Sequence, residues 1–122
     1  MQFYRCEKCG KILEMIQASK CEMVKCCGES MTILQPNTTD AAGEKHVPVI
    51  AQNGNTVVVS VGSVEHPMID EHYIQWIVLE TESGCQRKDL KPGMKPVATF
   101  AVVDGEKVLG AYAYCNLHGL WK

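Results

Sequence analysis

Four cysteines near the start of the chain stand in two pairs, Cys6-Glu7-Lys8-Cys9-Gly10 and Cys26-Cys27-Gly28. Two thiolates separated by two residues can converge on one metal, and glycine lets the backbone turn toward the sulfurs. Together the pairs make a four-sulfur tetrahedral site, which suits iron and zinc about equally. Adjacent cysteines tend to point apart, so ligation by both Cys26 and Cys27 is expected to distort the tetrahedron. A redox-active disulfide pair is the weaker alternative, because it calls for a βαβ setting that this stretch lacks. A structural zinc knot is the stronger one. Cys21 lies outside the pairing and reads as a spare thiol.

The histidines are His46, His66, His72 and His118, all beyond that cysteine-rich start and each in a polar or turn-like context. Taken singly, each is more often a surface or satisfied core residue than a ligand. Cys115 and His118 strengthen the metal reading, since two donors three apart commonly close on one ion. All four histidines with Cys115 would make a single site of five ligands. Structural zinc normally takes four. Five donors of mixed softness suit a redox-active iron, with a sixth octahedral position open to substrate.

The elements that must position these groups read as strands. Val57 to Val61 follows an Asn53-Gly54 turn, and its β-branched residues favour a strand. Ile74, Trp76 and Val78 alternate with Gln75, Ile77 and Leu79. Ala98, Phe100 and Val102 alternate before an Asp104-Gly105 turn, and Val108 to Tyr114 forms a further strand. Short strands punctuated by turns predict an antiparallel sandwich or barrel. The polar stretch Gln35-Pro36-Asn37-Thr38-Thr39-Asp40 reads as a linker. It separates an N-terminal module of residues 1–36 from a domain of residues 37–122. The module is too short to bury an adequate core and needs a staple such as a metal.

Composition narrows the function classes. The 122 residues carry a net charge of −2, with 46% apolar and 21% charged residues, which describes a globular chain. No global basic field recruits nucleic acid or an anionic membrane. A small anionic substrate would need local positive charge instead. Seven cysteines, an odd number without an export signal, favour metal ligation over a disulfide framework. The start Met1-Gln2-Phe3-Tyr4-Arg5-Cys6 has no apolar signal core, and no apolar run is long enough to span a bilayer. A cytoplasmic location is expected.

Over nearly its whole length the chain resembles the two-iron superoxide reductases called desulfoferrodoxins. The Cys6, Cys9, Cys26, Cys27 pattern resembles their desulforedoxin-type module. Thr38 to Pro48, with Ala41-Ala42-Gly43-Glu44-Lys45-His46 inside it, resembles the segment carrying the first histidine. Gly62-Ser63-Val64-Glu65-His66-Pro67-Met68 and His72-Tyr73-Ile74-Gln75-Trp76 resemble the second and third, and Tyr114-Cys115-Asn116-Leu117-His118-Gly119-Leu120-Trp121 the closing signature. The resemblance implies a mainly β chain, a small desulforedoxin-like module followed by an immunoglobulin-like antiparallel sandwich, and a homodimer. It implies iron (Fe) at both sites, with His46, His66, His72 and His118 equatorial and Cys115 axial. It implies one-electron reduction of superoxide to hydrogen peroxide, with rubredoxin or another small electron carrier as donor.

In that setting Lys45 would draw in an anion and stabilise charge on bound oxygen. Glu44 would ligate the ferric iron after peroxide leaves, on a loop able to move over the site. The ordinary reading of both is a solvated surface charge. The four-cysteine iron is expected to be accessory to the chemistry. Cys21 and Cys85 match no functional position.

Overall fold

A computed structural model describes residues 1–21 and 23–122. The chain forms two compact units, Met1–Gln35 and Pro36–Lys122. Among the described residues no helix is long and apolar enough to cross a membrane.

The first unit is built from very short strands. β1 (Phe3–Arg5) pairs antiparallel with β2 (Ile12–Glu14). β3 (Lys25–Cys26) and β4 (Glu29–Ser30) form a hairpin across Cys27-Gly28, and β5 (Thr32–Ile33) returns to the free side of β1. A buried cluster of Tyr4, Cys6 and Met31 has Met15, Val24, Cys26 and Ile33 packed against it, and Phe3 is also buried. So little apolar surface cannot offset the entropy of ordering the unit, which is why the cysteines matter to its stability as well as to its chemistry.

The second unit begins with one helical turn, α1 (Gly43–His46), followed by the hairpin of β6 (Pro48–Asn53) and β7 (Thr56–Val61). β8 (Ile74–Thr81) and β9 (Gly84–Asp89) form a second hairpin. β10 (Val97–Ala101), β11 (Val108–Cys115) and β12 (Gly119–Trp121) complete it. The strands make two antiparallel sheets, ordered β10-β7-β6 and β12-β11-β8-β9. This is the expected antiparallel sandwich.

Alternation of side chains builds the core between the sheets. β7 contributes Val57, Val59 and Val61, and β10 contributes Ala98 and Phe100. β11 contributes Ala111, Ala113 and Cys115. Ile74 and Ile77 of β8 both reach this core, although an odd spacing should place them on opposite faces. The β8–β11 register shifts between Tyr114 and Cys115, and that irregularity turns Ile74 inward. On the other face Trp76 stacks on Tyr114 with ring centroids 5.3 Å apart.

Two features differ from the sequence reading. β9, Gly-Cys-Gln-Arg-Lys-Asp, is exposed throughout and has no apolar alternation; it exists because β8 offers it a hairpin partner. The stretch read as a linker is partly ordered within the second unit. The Asn37 amide donates to the Lys122 carbonyl at 3.0 Å and its oxygen accepts from the Lys122 N–H at 2.9 Å, tying it to the C-terminal strand end.

Candidate metal centres

In the first unit the sulfurs of Cys6, Cys9, Cys26 and Cys27 all lie within 4.8 Å of one another. Cys9 and Cys26 are 3.7 Å apart, and Cys26 and Cys27 are 3.9 Å apart. Sulfurs about 2.3 Å from one metal at tetrahedral angles lie about 3.8 Å apart. The expected splaying of the adjacent pair is therefore absent. Cys27 takes a left-handed φ of 53° and Gly28 follows at 79°, and this turn swings neighbouring sulfurs onto one centre.

The thiols respond to one another. The backbone N–H of Cys9 leads the groups that lower the Cys6 thiol to about 7. Cys27 is pushed up to about 12, chiefly by its hydrogen-bonded neighbour Cys9. Four thiols this close do not all ionise unless a cation compensates them. The four-sulfur set fits the iron that the resemblance implies. Cys9→Ala is expected to lower metal affinity in this unit by more than about 100-fold, since loss of outer partners alone costs roughly 10–100-fold. Metal analysis after chelator challenge would check it, with the optical bands of the other centre unchanged.

The second centre gathers residues from one end of the sandwich. His46 closes α1, His66 follows β7, His72 precedes β8, Cys115 ends β11, and His118 sits in the turn before β12. Their ligand atoms also lie within 4.8 Å of one another. Around the ring, His46–His66, His66–His72, His72–His118 and His118–His46 have centroids 4.6, 4.5, 4.9 and 4.8 Å apart. Each of these pairs is near perpendicular, with interplanar angles of 77 to 85°. Across the ring, His46 and His72 are 6.1 Å apart. Four imidazoles thus form the sides of a square.

The nitrogen distances separate two coordination geometries. His46 Nε2 lies 3.1 Å from His66 Nε2 and 3.0 Å from His118 Nδ1. Nitrogens about 2.1 Å from a metal stand about 3.0 Å apart at a right angle, and about 3.4 Å at a tetrahedral angle. The shorter value fits a planar four-nitrogen set. His46 Nδ1 donates to the Ala42 carbonyl at 2.7 Å and His66 Nδ1 to the Pro67 carbonyl at 2.6 Å. Those bonds select the tautomer that leaves both Nε2 lone pairs facing the centre. His72 Nε2 is buried with no hydrogen-bond partner among the described residues, as a nitrogen reserved for a metal would be.

Burial favours the neutral rings that ligation needs. It lowers His66 to about 4 and also lowers His46 and His72. Burial pushes the Cys115 thiol up, so its anion needs a cation beside it. The Cys115 sulfur lies 3.8 Å from His118 Nδ1 and is fully buried in the sandwich core. Four imidazole nitrogens and one thiolate would suit an octahedral iron, which takes six donors.

Glu44 and Lys45 are exposed on α1, beside His46. The Lys45 charge contributes to lowering both His46 and His72, on opposite sides of the ring, whereas Glu44 acts on His46 in the opposite sense. Cys21 and Cys85 belong to neither cluster.

Two residues around this centre were not singled out by sequence reasoning. Asn116 accepts from the Tyr73 N–H at 2.9 Å and donates to the Glu71 carbonyl at 3.0 Å. Its one amide brackets His72 while its backbone continues from Cys115. Trp121 stacks on His46 at 4.7 Å and donates from Nε1 to the His118 carbonyl at 3.0 Å. Position between two ligands was the only hint for Asn116, and nothing local pointed to Trp121. Asn116→Ala is expected to weaken metal binding at this centre roughly 10–100-fold. Asn116→Asp keeps the acceptor for Tyr73 and should recover part of the loss. Competition with a chelator would measure both.

The fold and the two clusters define a protein with a four-thiolate centre and a separate four-imidazole, one-thiolate centre. The family model Desulfoferrodoxin matches residues 38–122, and Desulfoferrodoxin, N-terminal domain, matches residues 1–34. A desulfoferrodoxin homolog of Archaeoglobus fulgidus is 48% identical, over 100% of this chain and 95% of its own. The crystal structure of a superoxide reductase from Treponema pallidum superposes with a TM-score of 0.81 at 40% identity, covering 98% of this chain and 96% of that one. A Giardia intestinalis protein described as a 1Fe superoxide reductase is 45% identical, with a TM-score of 0.53 over 64% of this chain and 93% of its own. The chain belongs to the desulfoferrodoxin family. Both of its clusters match that family's iron sites.

Proposed function

We propose that this chain is a superoxide reductase. Superoxide takes one electron and two protons at the five-ligand centre and leaves as hydrogen peroxide, with no dioxygen formed. The observation that carries the proposal is the square of four imidazoles with one buried thiolate, five ligands where six positions suit iron. Iron held there supplies the electron and the open position.

The residues have separable roles. His46, His66, His72 and His118 hold the metal, and their hydrogen bonds and packing keep the rings from rotating. Cys115, on the core side, would supply the one thiolate donor to the iron. The half-buried His72 and His118 lie nearer solvent than the fully buried Cys115 sulfur, so an anion would approach from the imidazole side. Lys45 would attract that anion, and Glu44 would be a carboxylate donor available to ferric iron. The four-cysteine unit is an accessory electron store or stabilising knot. Rubredoxin or a similar small carrier is the donor, and the working form is a cytoplasmic homodimer.

Anion titration of the oxidised protein tests the open position. Azide should shift the thiolate-to-ferric absorption with saturable binding, and Glu44→Ala should tighten it. A centre indifferent to azide in both proteins would be coordinatively full. The chain would then be an electron carrier and not a reductase.

A further inference from the structure

We infer that Gly62, with Ser63 and Val64, is a positioning element that sets where Lys45 and Glu44 stand beside the imidazole ring; this rests on the function proposed above. Gly62 meets α1 backbone to backbone. A Cβ there would lie 2.5 Å from the Glu44 carbonyl oxygen and 2.9 Å from the Lys45 carbonyl carbon. Neither atom is the movable end of a side chain. The φ of Gly62 lies outside the left-handed region, so close approach, not backbone conformation, demands glycine.

The Glu44 carbonyl that Gly62 admits is then held by its two neighbours. The Val64 N–H donates to it at 2.8 Å and Ser63 Oγ at 3.2 Å. On the opposite side of the turn, the Ala42 carbonyl accepts from the Lys45 N–H at 3.1 Å and from His46 Nδ1 at 2.7 Å. One helical turn has no stability of its own. It persists because both ends are fastened. The 62–64 segment leads directly into the ligand His66, whose N–H donates to the Val61 carbonyl at 3.1 Å. One short loop therefore fixes a metal ligand at its end and the two charged residues on its flank. Their register to the imidazole ring is set by backbone contact.

The test uses the iron-loaded full chain with Gly62→Ala, Ser63→Ala, Lys45→Ala and the Gly62→Ala/Lys45→Ala pair. Superoxide capture is followed by pulse radiolysis at several ionic strengths, and exchange of the Val64 amide hydrogen is followed with and without metal. Gly62→Ala should slow low-salt capture roughly tenfold, flatten its salt dependence and speed Val64 exchange. Ser63→Ala, which stays foldable because its side chain is exposed, should act in the same direction by about two- to threefold. Adding Gly62→Ala to Lys45→Ala should change the rate less than about twofold, since both act through one charge. Wild-type salt dependence in both single variants, or fully additive effects in the pair, would overturn the inference. If Lys45→Ala alone leaves capture unchanged, the role assigned to Lys45 fails. Val64 exchange then still decides whether the loop holds the turn.

Discussion

Replacing Cys115 by serine is expected to abolish superoxide reduction and to remove the thiolate-to-ferric absorption, while the four-cysteine bands remain. The sulfur is the one soft donor in the second centre, and it is fully buried. A hydroxyl there is a harder donor and a weaker acid than the thiol, so it stays protonated near neutral pH and offers a neutral oxygen in place of an anionic sulfur. Loss of partners one step removed from a metal costs roughly 10–100-fold. Loss of this ligand should therefore exceed about 100-fold in the rate of superoxide reduction. Burying the hydroxyl among Ala113, Val61 and Ile74 also costs about 1–3 kcal/mol of stability. Thermal unfolding of the variant at equal metal content separates the two effects. A folded Cys115→Ser protein with near-normal turnover would remove the thiolate from the mechanism.

The second large effect is expected at Lys45. The chain carries a net charge of −2, so its overall field repels an anion. Capture must then depend on a local cation, and Lys45 is the cation whose charge reaches both His46 and His72. Steering of this kind raises association rates by roughly 10–10³-fold and fades as salt shortens the Debye length. Lys45→Ala is expected to slow capture roughly tenfold or more at low ionic strength. The sign of the salt effect is diagnostic. In the native protein capture should slow as salt rises, because attraction is screened. In the variant it should stay flat or rise slightly, because only the net repulsion remains to be screened. Lys45→Arg keeps the charge and should keep the slope. Pulse radiolysis over an ionic-strength series reads all three.

The ligands were legible in the sequence because each stands in a short, distinctive motif at the end of a strand or turn. The order of those motifs leaves no histidine over. Their meeting point was not legible. His46 and His118 are separated by the whole sandwich in sequence, and only the pairing of β8 with β11 brings Cys115 and Asn116 beside the segment that carries His72. Strands with β-branched or alternating apolar residues, such as Val57–Val61, were readable. β9 was not, because a charged, fully exposed strand follows from its neighbour and not from its own pattern.

The same distinction applies to the supporting residues. Asn116 and Trp121 act through backbone groups and ring stacking that exist only in the folded chain. Gly62 stands in the sequence only as the start of the motif that carries His66, yet its missing side chain matters because Glu44 lies against it. At the other centre the left-handed Cys27 backbone, which no sequence pattern announces, is what lets two adjacent cysteines face one ion.

The most direct test of the proposed function is the product balance. The reduced, iron-loaded protein with a re-reducing donor is exposed to a calibrated superoxide flux, and hydrogen peroxide and dioxygen are counted together. The expected result is peroxide equal to the superoxide consumed, with no dioxygen released. Dioxygen appearing in amounts equal to the peroxide would mean dismutation, and consumption no faster than the spontaneous rate would mean no catalysis; either would contradict reduction at the His46, His66, His72, Cys115 and His118 centre.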